Sequence, residues 1–291
     1  MTQSRSYSLV ALGAALWGCV GIFVHGLSAQ GLSSIQIAWL RMAGGAVVMI
    51  VWMLRRSPRA LRLQRWSDVR FFVLTGAVSI AVFQWSYISA IGTVGISAAV
   101  VLLYTSPGFV VLFSRLFFGE PITPLKVASL LAMITGVVAV SGGFGGQALD
   151  AGVGGILIGL TAGISFSLYS VVGKRALIRY GARTVTVYTF AIATLSLTPA
   201  AVMTVAPVVW LAPGVIGWGI GIVALPTVAA YLCYTAGLKG VESGRAAIVS
   251  SLEVLVATFV GVVVFAESVG VAQLTGTALV LAAALAIQRS R

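Results

Sequence analysis

The sequence predicts an all-α membrane protein whose ten transmembrane helices form two inverted five-helix repeats. Three observations lead to this fold class: the composition, a series of long apolar runs, and a similarity between the two halves of the chain. Of the 291 residues, 59% are hydrophobic and only 8% are charged, and the mean hydropathy is +1.08. Soluble domains carry roughly 25% charged residues, so this composition predicts a chain embedded in a lipid bilayer.

Ten predominantly apolar runs approach the length of about 20 residues that a membrane-spanning helix needs. They lie at residues 7–27, 35–54, 69–88, 96–117, 127–141, 153–173, 184–205, 216–238, 246–265 and 269–287. The fifth run is short, and its helix is expected to begin nearer Thr123. The runs lack the alternation of outer-membrane β-strands, whose segments have about 10 residues. The first run could be a secretory signal peptide, but its length and the nine runs behind it predict a retained helix.

The distribution of basic residues predicts that both termini are cytoplasmic. With the N-terminus inside, every lysine and arginine except Arg41 falls at a cytoplasmic end or loop, as the positive-inside rule requires. The net charge of +12 is therefore a topology signal, and we expect no nucleic-acid partner. The prediction is a multi-pass membrane protein in contact with the lipid bilayer.

A shift of 147 residues overlays the two halves of the chain. The matched pairs are Tyr87 with Tyr234, Val94 with Val241, Ala99 with Ala246, Phe118 with Phe265, and Glu120 with Glu267. We predict a first repeat at residues 1–148 and a second at 149–291, together forming one membrane domain. Because five is odd, the second repeat enters the membrane from the opposite side. Such inverted repeats are typical of secondary transporters, with the substrate site near the midplane where the repeats meet.

Several short motifs resemble the EamA branch of the drug/metabolite transporter superfamily. They are Trp17-Gly18, Arg41, Pro107, Phe118-Gly-Glu120-Pro121 and Phe265-Ala-Glu267. Among its members, the sequence is most similar to bacterial exporters of aromatic amino acids and metabolites. The resemblance implies a secondary transporter of the bacterial inner (plasma) membrane that exports amino acids, including aromatic ones, and related small metabolites by alternating access. Cationic drugs or other metabolites carried in the same fold, or a channel, are the alternatives.

One departure from the family pattern concerns the ninth helix. The sequence has Glu253-Val254 where the family commonly has Glu-Pro. The proline hinge present at Pro107 in the fourth helix is therefore missing from its counterpart. We predict that motion in this protein is less symmetric than the repeat.

Arg41 and Glu253 are the charges that fall deepest within the predicted helices. A charge at the bilayer centre costs about 2.5 to 3.5 kcal/mol on insertion scales, so each should face a partner or a wet cavity. One interpretation is a structural ion pair between the second and ninth helices. The other is a substrate site, in which Glu253 titrates or meets an amino group and Arg41 meets a carboxylate. We treat Glu120 and Glu267, near the helix ends, as structural.

Polar and aromatic side chains recur where they could line a cavity between the repeats. The candidate substrate-binding residues besides the two charges are Trp17, Gln84, Tyr87, Tyr104, Ser165, Tyr169, Tyr231 and Tyr234. For any single tyrosine, packing or an interfacial belt is the alternative. Rings with polar tips suit an amphiphilic or aromatic solute. Pro107 and Pro226 each remove a backbone hydrogen bond, so we interpret them as hinges or as cavity lining.

The sequence offers no set of residues that would make an enzyme. His25 is the only histidine, and both aspartates, Asp68 and Asp150, lie between the apolar runs. The two cysteines, Cys19 and Cys233, fall inside apolar runs and form no metal-ligand spacing. We therefore expect a small-molecule substrate, no cofactor, no metal and no catalysis.

Overall fold

A computed structural model of the chain describes residues 2–142, 152–202, 207–266 and 270–289, which form ten helical segments without a strand. The first five are α1 (Gln3–Gly18 and Val20–Ala29), α2 (Ser34–Arg56), α3 (Trp66–Val94), α4 (Ile96–Leu103 and Ser106–Phe118) and α5 (Pro124–Val140). The second five are α6 (Gly152–Leu177), α7 (Ala182–Val202), α8 (Pro213–Leu238), α9 (Ser243–Ser250 and Leu252–Phe265) and α10 (Val271–Arg289). The predicted boundary between the repeats and Glu267 lie outside these ranges.

All of these segments except α5 are long and apolar enough to cross a membrane. The short α5 begins at Pro124, where the Thr123 hydroxyl accepts a hydrogen bond from the Lys126 amide at 3.2 Å. Large apolar side chains cover the outside of the bundle, and Leu195 and Phe259 are 73% and 64% exposed. Contact between so many apolar side chains and water is unfavourable, so these faces need a lipid environment. The predicted all-α membrane fold is thus confirmed.

Helix contacts follow the symmetry of the two repeats. The α3 helix packs on α6 as α8 packs on α1, and α4 packs on α6 as α9 packs on α1. Three further contacts join a helix of the first repeat to its own counterpart in the second: α2 with α7, α4 with α9, and α5 with α10. At the last of these contacts, Gly136 and Gly276 each lie against the other's carbonyl oxygen, an approach that a Cβ atom would prevent. The two repeats therefore pack across a pseudo-twofold axis.

Helix irregularities also occur at equivalent positions in the two repeats. The α4 helix is interrupted at Tyr104 and Thr105, and α9 is interrupted at Ser251, which the 147-residue shift places on Tyr104. The proline is confined to α4, yet α9 is interrupted without one, so the predicted asymmetry of motion stays a prediction. The α3 and α8 helices each contain a π-helical stretch, at Leu74–Val82 and Ala224–Ala229. Their positions overlap under the same shift.

Pro107 and Pro226 sit differently within these features. Pro107 is the second residue of the Ser106–Phe118 half-helix, where no intrahelical partner exists for an amide hydrogen. Proline is therefore tolerated there as the start of a new helix. Pro226 lies inside the π-helical stretch of α8, which continues without interruption into Ala230–Leu238. Of the two, only Pro107 adjoins a helix break.

Charged side chains tie together the end of the bundle that carries the α2–α3, α4–α5, α6–α7 and α8–α9 connections, here called the basic end. Glu120 caps the start of α9, because its carboxylate accepts hydrogen bonds from the Ser243 and Gly244 amides at 3.0 and 3.4 Å. Lys174 of α6 pairs with the same carboxylate at 3.0 Å and also donates to the Val241 carbonyl at 2.7 Å. Glu120 thus links the first repeat to two helices of the second.

A second carboxylate, Glu242, joins the same end of the bundle. It pairs with Lys126, a side chain that is 1% exposed, at 2.6 Å and with Arg245 at 2.9 Å. Partial burial raises the pKa of Glu242, but the hydrogen bond and charge of Lys126, followed by those of Arg245, outweigh it. The pKa is therefore below its ordinary value of 4.5. Glu242 is ionised at neutral pH and holds the buried Lys126.

The α2–α3 connection is fixed to the α6–α7 connection by several polar contacts. Asp68 is fully buried and accepts hydrogen bonds from Arg179 at 2.6 Å and from the Tyr180 hydroxyl at 2.8 Å. The Gln64 amide donates to Tyr180 at 2.9 Å, and the Tyr188 hydroxyl donates to the Leu61 carbonyl at 2.6 Å. These contacts give the α2–α3 connection a defined shape.

Candidate functional site

The residues around Arg41 enclose a chamber inside the bundle, here called the Arg41 chamber. It is lined by Trp17, Ala38, Arg41, Met42, Ser79, Ile80, Phe83, Gln84, Phe166, Tyr169 and Tyr231. These residues come from α1, α2, α3, α6 and α8, so both repeats contribute. The chamber volume is about 40 Å³. A water needs roughly 10–15 Å³, so the chamber has room for a few waters and must widen for a larger solute.

Arg41 is held against the π-helical stretch of α8. Its Nε donates to the Thr227 hydroxyl at 3.1 Å, and a terminal nitrogen donates to the Pro226 carbonyl at 3.3 Å. A π-helical stretch changes the local backbone hydrogen bonding, and such stretches are frequent at functional sites. The guanidinium has five N–H donors, and these two contacts leave others for a ligand. Arg41 is thus positioned by neutral groups.

Glu253 lies at the start of the second half of α9. The break at Ser251 makes Glu253 the second residue of the Leu252–Phe265 half-helix, close to backbone amides that lack an intrahelical partner. A carboxylate is favourable at a helix N-terminus, typically by 0.3–1 kcal/mol, which is one physical reason for a carboxylate at this depth. The shift places Glu253 on Ser106, so only the second repeat carries a charge at this position. Glu253 remains partly accessible.

Arg41 and Glu253 lie within range of each other's charge but do not form a direct ion pair. Their interaction is electrostatic, and within the described ranges the ion pairs shorter than 4.0 Å all involve other residues. The charge of Glu253 also acts on the hydroxyls of Tyr87, Tyr104 and Tyr231. The structure therefore gathers two opposite charges and three tyrosines in one region. A locked ion pair between α2 and α9 does not describe this conformation.

Aromatic rings form a partition beside the Arg41 chamber. Trp17 contacts Tyr231 and Tyr234 with ring centroids 5.1 Å apart in each case, and Tyr169 contacts Tyr231 at 5.2 Å. The Tyr169 hydroxyl bonds to Thr235, and the Tyr234 hydroxyl bonds to Ser170, each at 2.6 Å. Edge-to-face ring pairs contribute about 0.5–1.5 kcal/mol beyond area burial. The partition is therefore a fixed structure, and these two hydroxyls are already in use.

A second chamber lies on the other side of the partition and is here called the Pro107 chamber. It is lined by Trp17, Ser106, Pro107, Val110, Phe166, Tyr169, Ser170, Tyr234, Ala247 and Ser250, with a volume of about 20 Å³. Its walls include both halves of the interrupted region, since Ser106 and Pro107 follow the α4 break and Ser250 precedes the α9 break. Trp17, Phe166 and Tyr169 line both chambers. These three rings therefore form a wall that the two small spaces share.

The structure brings most of the predicted site residues together. Trp17, Arg41, Gln84, Tyr169 and Tyr231 line the Arg41 chamber. The other predicted residues differ in their placement. Tyr234 and Pro107 line the second chamber, Tyr87, Tyr104 and Glu253 form the adjoining electrostatic group, and Pro226 contacts Arg41. Ser165 is buried on α6 but lines neither of the two chambers, whose α6 wall is formed by its neighbour Phe166.

Sequence reasoning missed several residues of the site. Ser79 lines the Arg41 chamber, and its hydroxyl is buried without a hydrogen-bond partner in the described part of the chain. The 147-residue shift pairs Ser79 with Pro226, just as it pairs Gln84 with Tyr231. Because Pro226 was a predicted residue, comparing the two repeats could have indicated Ser79 as well. Phe83 and Phe166 pack with ring centroids 5.1 Å apart beside the chamber. Their apolar side chains gave no indication of a cavity in the sequence. Among the described residues no cluster of three metal-ligating side chains occurs.

Comparisons with known proteins agree on the type of protein. The sequence pattern of the EamA-like transporter family matches residues 4–142 and 153–289. An uncharacterized transporter of Archaeoglobus fulgidus is 28% identical, over 95% of this chain and 93% of its own. The uncharacterized transporter YwfM of Bacillus subtilis is 27% identical, over 98% and 94%. One solved crystal structure matches with a TM-score of 0.78 and 23% identity, over 97% of this chain and 96% of its own, which bears on the fold.

Proposed function

Because the chain belongs to the EamA-like transporter family, and so is a multi-pass membrane transporter, we propose that it exports amino acids, including aromatic ones, and related small metabolites. Export occurs by alternating access between the two repeats, from a bacterial inner membrane in which both termini are cytoplasmic. The substrate site comprises the Arg41 chamber and the adjoining group around Glu253. Two rings of the partition, Trp17 and Tyr169, contact the aromatic part of the solute.

The observation that carries this proposal is the pair of opposite charges that are near each other without being bonded. Arg41 offers free N–H donors toward a carboxylate, and Glu253 offers acceptors toward an ammonium group. A zwitterion carries a charge opposite to each of these groups, whereas a neutral sugar carries no charge and could only form hydrogen bonds with them. Three tyrosines and Trp17 stand around these charges and favour a ring with an amphiphilic character. The small chamber volume requires the surrounding helices to separate as the solute binds.

Transport with analogues that lack one charge tests the proposal directly. Proteoliposomes of the purified protein are loaded with one unlabelled solute, and counterflow of the same solute in labelled form is measured, in turn for phenylalanine, phenethylamine and 3-phenylpropionate. Arg41→Gln should weaken phenylalanine transport about 10- to 100-fold, as expected for losing a hydrogen bond to a charged group. The same variant should leave phenethylamine transport unchanged, because that solute has no carboxylate. Glu253→Gln should give the reciprocal pattern with 3-phenylpropionate.

A matched control separates a specific effect from a loss of fold. Lys239→Gln removes an exposed positive charge just after the end of α8 and should leave all three solutes unaffected. If neither Arg41→Gln nor Glu253→Gln changes the ratio of phenylalanine to its analogues, the zwitterion site is wrong. Equal transport of a sugar would likewise contradict it. Conductance without counterflow would identify the alternative of a channel.

A cationic drug is the second candidate cargo, and the environment of Glu253 favours it. A carboxylate with Tyr87, Tyr104 and Tyr231 nearby can bind a quaternary ammonium through charge and cation–π interactions. Such a cargo needs Glu253 but not Arg41. Transport of a quaternary ammonium that survives Arg41→Gln and is lost in Glu253→Gln, with no phenylalanine transport in the unmodified protein, would decide for this candidate.

The proposed orientation is tested with single cysteines. In a background lacking Cys19 and Cys233, cysteines at Arg59 and Gln30 should label from opposite sides of the membrane. An impermeant reagent added outside cells should modify only the Gln30 position. Labelling of both positions from outside would contradict the proposed topology.

A further inference from the structure

A pocket at the basic end of the bundle shares no lining residue with the two chambers of the proposed transport site. It is lined by Arg59, Ala60, Arg62, Leu63, Gln64, Arg179, Tyr180, Gly181, Ala182, Arg183 and Thr184. Its volume is about 510 Å³, compared with about 40 Å³ for the Arg41 chamber. The lining comes from the α2–α3 connection of one repeat and from the α6–α7 connection and the first turn of α7 in the other.

Four arginines contribute to this pocket, and the structure neutralises one of them. Arg179 pairs with Asp68 at 2.6 Å. The remaining three, Arg59, Arg62 and Arg183, are exposed and have no carboxylate within 4.0 Å in the described part of the chain. The other described carboxylates are engaged elsewhere, at the Glu120 and Glu242 networks and in the transport site. A concave surface with uncompensated guanidinium groups attracts an anion.

The pocket is held in shape by contacts that do not involve its free arginines. The Thr184 hydroxyl donates to the Ala60 carbonyl at 2.9 Å, and the Gln64 side chain donates to the Arg179 carbonyl at 2.9 Å. The bonds from Gln64 to Tyr180 and from Tyr188 to the Leu61 carbonyl, described above, fix the same wall. Because the backbone is already ordered, a ligand would not have to order the loop when it binds.

The surroundings of the pocket favour a lipid over a soluble anion. The Arg183 guanidinium lies over the Trp52 ring at 4.7 Å, and Trp52 is 39% exposed on the membrane-spanning α2. Trp66 follows the Gln64 wall by two residues and is 87% exposed. Exposed tryptophans next to arginines are typical of the membrane interface, where a ring meets the acyl chains and a cation meets the headgroup.

We propose that this pocket binds the phosphate headgroup of an anionic phospholipid, with Arg59, Arg62 and Arg183 as ligands to the phosphate. A guanidinium fork matches two phosphate oxygens at once, so the three arginines can hold one headgroup with several charge-assisted hydrogen bonds. The acyl chains extend along Trp52 on the outer face of α2. The lipid thereby bridges the first repeat to the second at the basic end.

Native mass spectrometry of the purified full chain in detergent tests this site. Phosphatidylglycerol and phosphatidylcholine are titrated separately, and the fraction of protein carrying one lipid is measured. The double variant Arg59→Gln, Arg183→Gln should bind phosphatidylglycerol about 30-fold more weakly, at about 1 kcal/mol for each base. The charge-matched control, Arg55→Gln with Arg56→Gln, removes two arginines that do not line the pocket and should weaken binding less than about threefold.

Two further arms distinguish a bound lipid from a soluble anion and from general attraction to positive charge. Arg59→Lys with Arg183→Lys keeps the charge but removes the forks, and it should bind with intermediate affinity if phosphate geometry matters. Inorganic phosphate at the concentration that saturates the lipid should leave the lipid bound. If inorganic phosphate displaces it, the pocket is a site for a soluble anion and the lipid proposal fails. Equal loss in the double variant and its control, or equal binding of phosphatidylcholine, would also overturn it.

Discussion

The Glu120 network makes a sharp prediction about how the two repeats are held together at the basic end. Glu120→Gln keeps the size of the side chain and one carbonyl acceptor but removes its charge. In the unmodified protein, the Glu120 carboxylate accepts two hydrogen bonds from α9 amides and pairs with Lys174. The variant should therefore loosen the start of α9 and the end of α6 together. Transport should change through the equilibrium between conformations, since Glu120 lies outside both chambers.

The expected magnitude follows from the individual contacts. The Ser243 amide bond changes from a charged acceptor, about 1.5–3 kcal/mol, to a neutral one, about 0.5–1.5 kcal/mol, which is a loss of about 1 kcal/mol. The Gly244 amide bonds to the other oxygen at 3.4 Å and loses its acceptor, and for so long a bond we expect a further loss of about 1 kcal/mol. The pair with Lys174, whose side chain is 22% exposed, adds about 1 kcal/mol after screening by solvent. We expect about 3 kcal/mol in total. That is a large fraction of the stability of a typical domain.

Reversible unfolding in mixed micelles with increasing dodecyl sulfate, followed by tryptophan fluorescence, measures this loss. A double-mutant cycle with Lys174→Met should give a coupling energy of about 1 kcal/mol, because the two residues share one contact. Lys239→Gln, which removes an exposed charge from the same end, should change the free energy of unfolding by less than about 0.5 kcal/mol. A loss below about 0.5 kcal/mol for Glu120→Gln would refute the reasoning.

Three further predictions concern close packing, the helix break and pH. Gly163→Ala should destabilise the protein by about 1–3 kcal/mol, because the added Cβ would lie 2.9 Å from a backbone oxygen and a side-chain oxygen at the α4 break. Gly154→Ala, whose Cβ would have no atom within 4 Å, should be neutral or stabilising in the same unfolding assay. Pro107→Ala should leave α4 interrupted, since α9 breaks without proline, and an unchanged spin-label distance across the break would confirm this. Because the pKa of Glu242 is lowered in the folded protein, its ionised form contributes stability that is complete above the ordinary pKa of 4.5 and is lost as the pH falls through the lower folded value. Lys126→Met should reduce this acid dependence when the free energy of unfolding is measured against pH.

The sequence predicted the helices well because a bilayer imposes a simple requirement. A segment that spans hydrocarbon must be long, apolar and internally hydrogen-bonded, and these properties can be read from the sequence alone. Even the short α5 was expected to begin near Thr123, where its capping residue lies. The repeat was visible for a similar reason, since the 147-residue shift preserves the spacing of all five helices.

The site was harder to predict because cavities depend on which helix faces meet. The two charges and most of the tyrosines were identified from their depth in the helices, but Ser165 was placed in the site when its neighbour Phe166 lines both chambers. A single helical step of 100° decides between the two, and membrane helices that are apolar all round give no moment to fix it. The partners of Arg41 were also missed, because a threonine and a backbone carbonyl carry no signal in the sequence.

The break in α9 was not predicted from the sequence, because no proline marks it. Ser250 and Ser251 instead direct their hydroxyls to backbone carbonyls of the preceding turn, at 2.8 and 2.6 Å. Such bonds compete with the helical pattern and can bend a helix without proline. The fold reaches the same geometry in the two repeats with different residues.

The two repeats share the same backbone breaks but carry different side chains there, and this difference has a consequence for transport kinetics. Under the proposed alternating access, symmetric backbones would let the inward-open and outward-open states resemble each other. Glu253 is equivalent to Ser106 under the repeat, so a solute would meet a different set of charges from each side. For a carrier without an energy source, detailed balance requires the ratio of maximal rate to half-saturating concentration to be the same in both directions. An uneven distribution of charge can then change the half-saturating concentration on one side only if the maximal rate changes with it. Measured from both faces, these paired changes would separate a passive carrier from one coupled to an ion gradient.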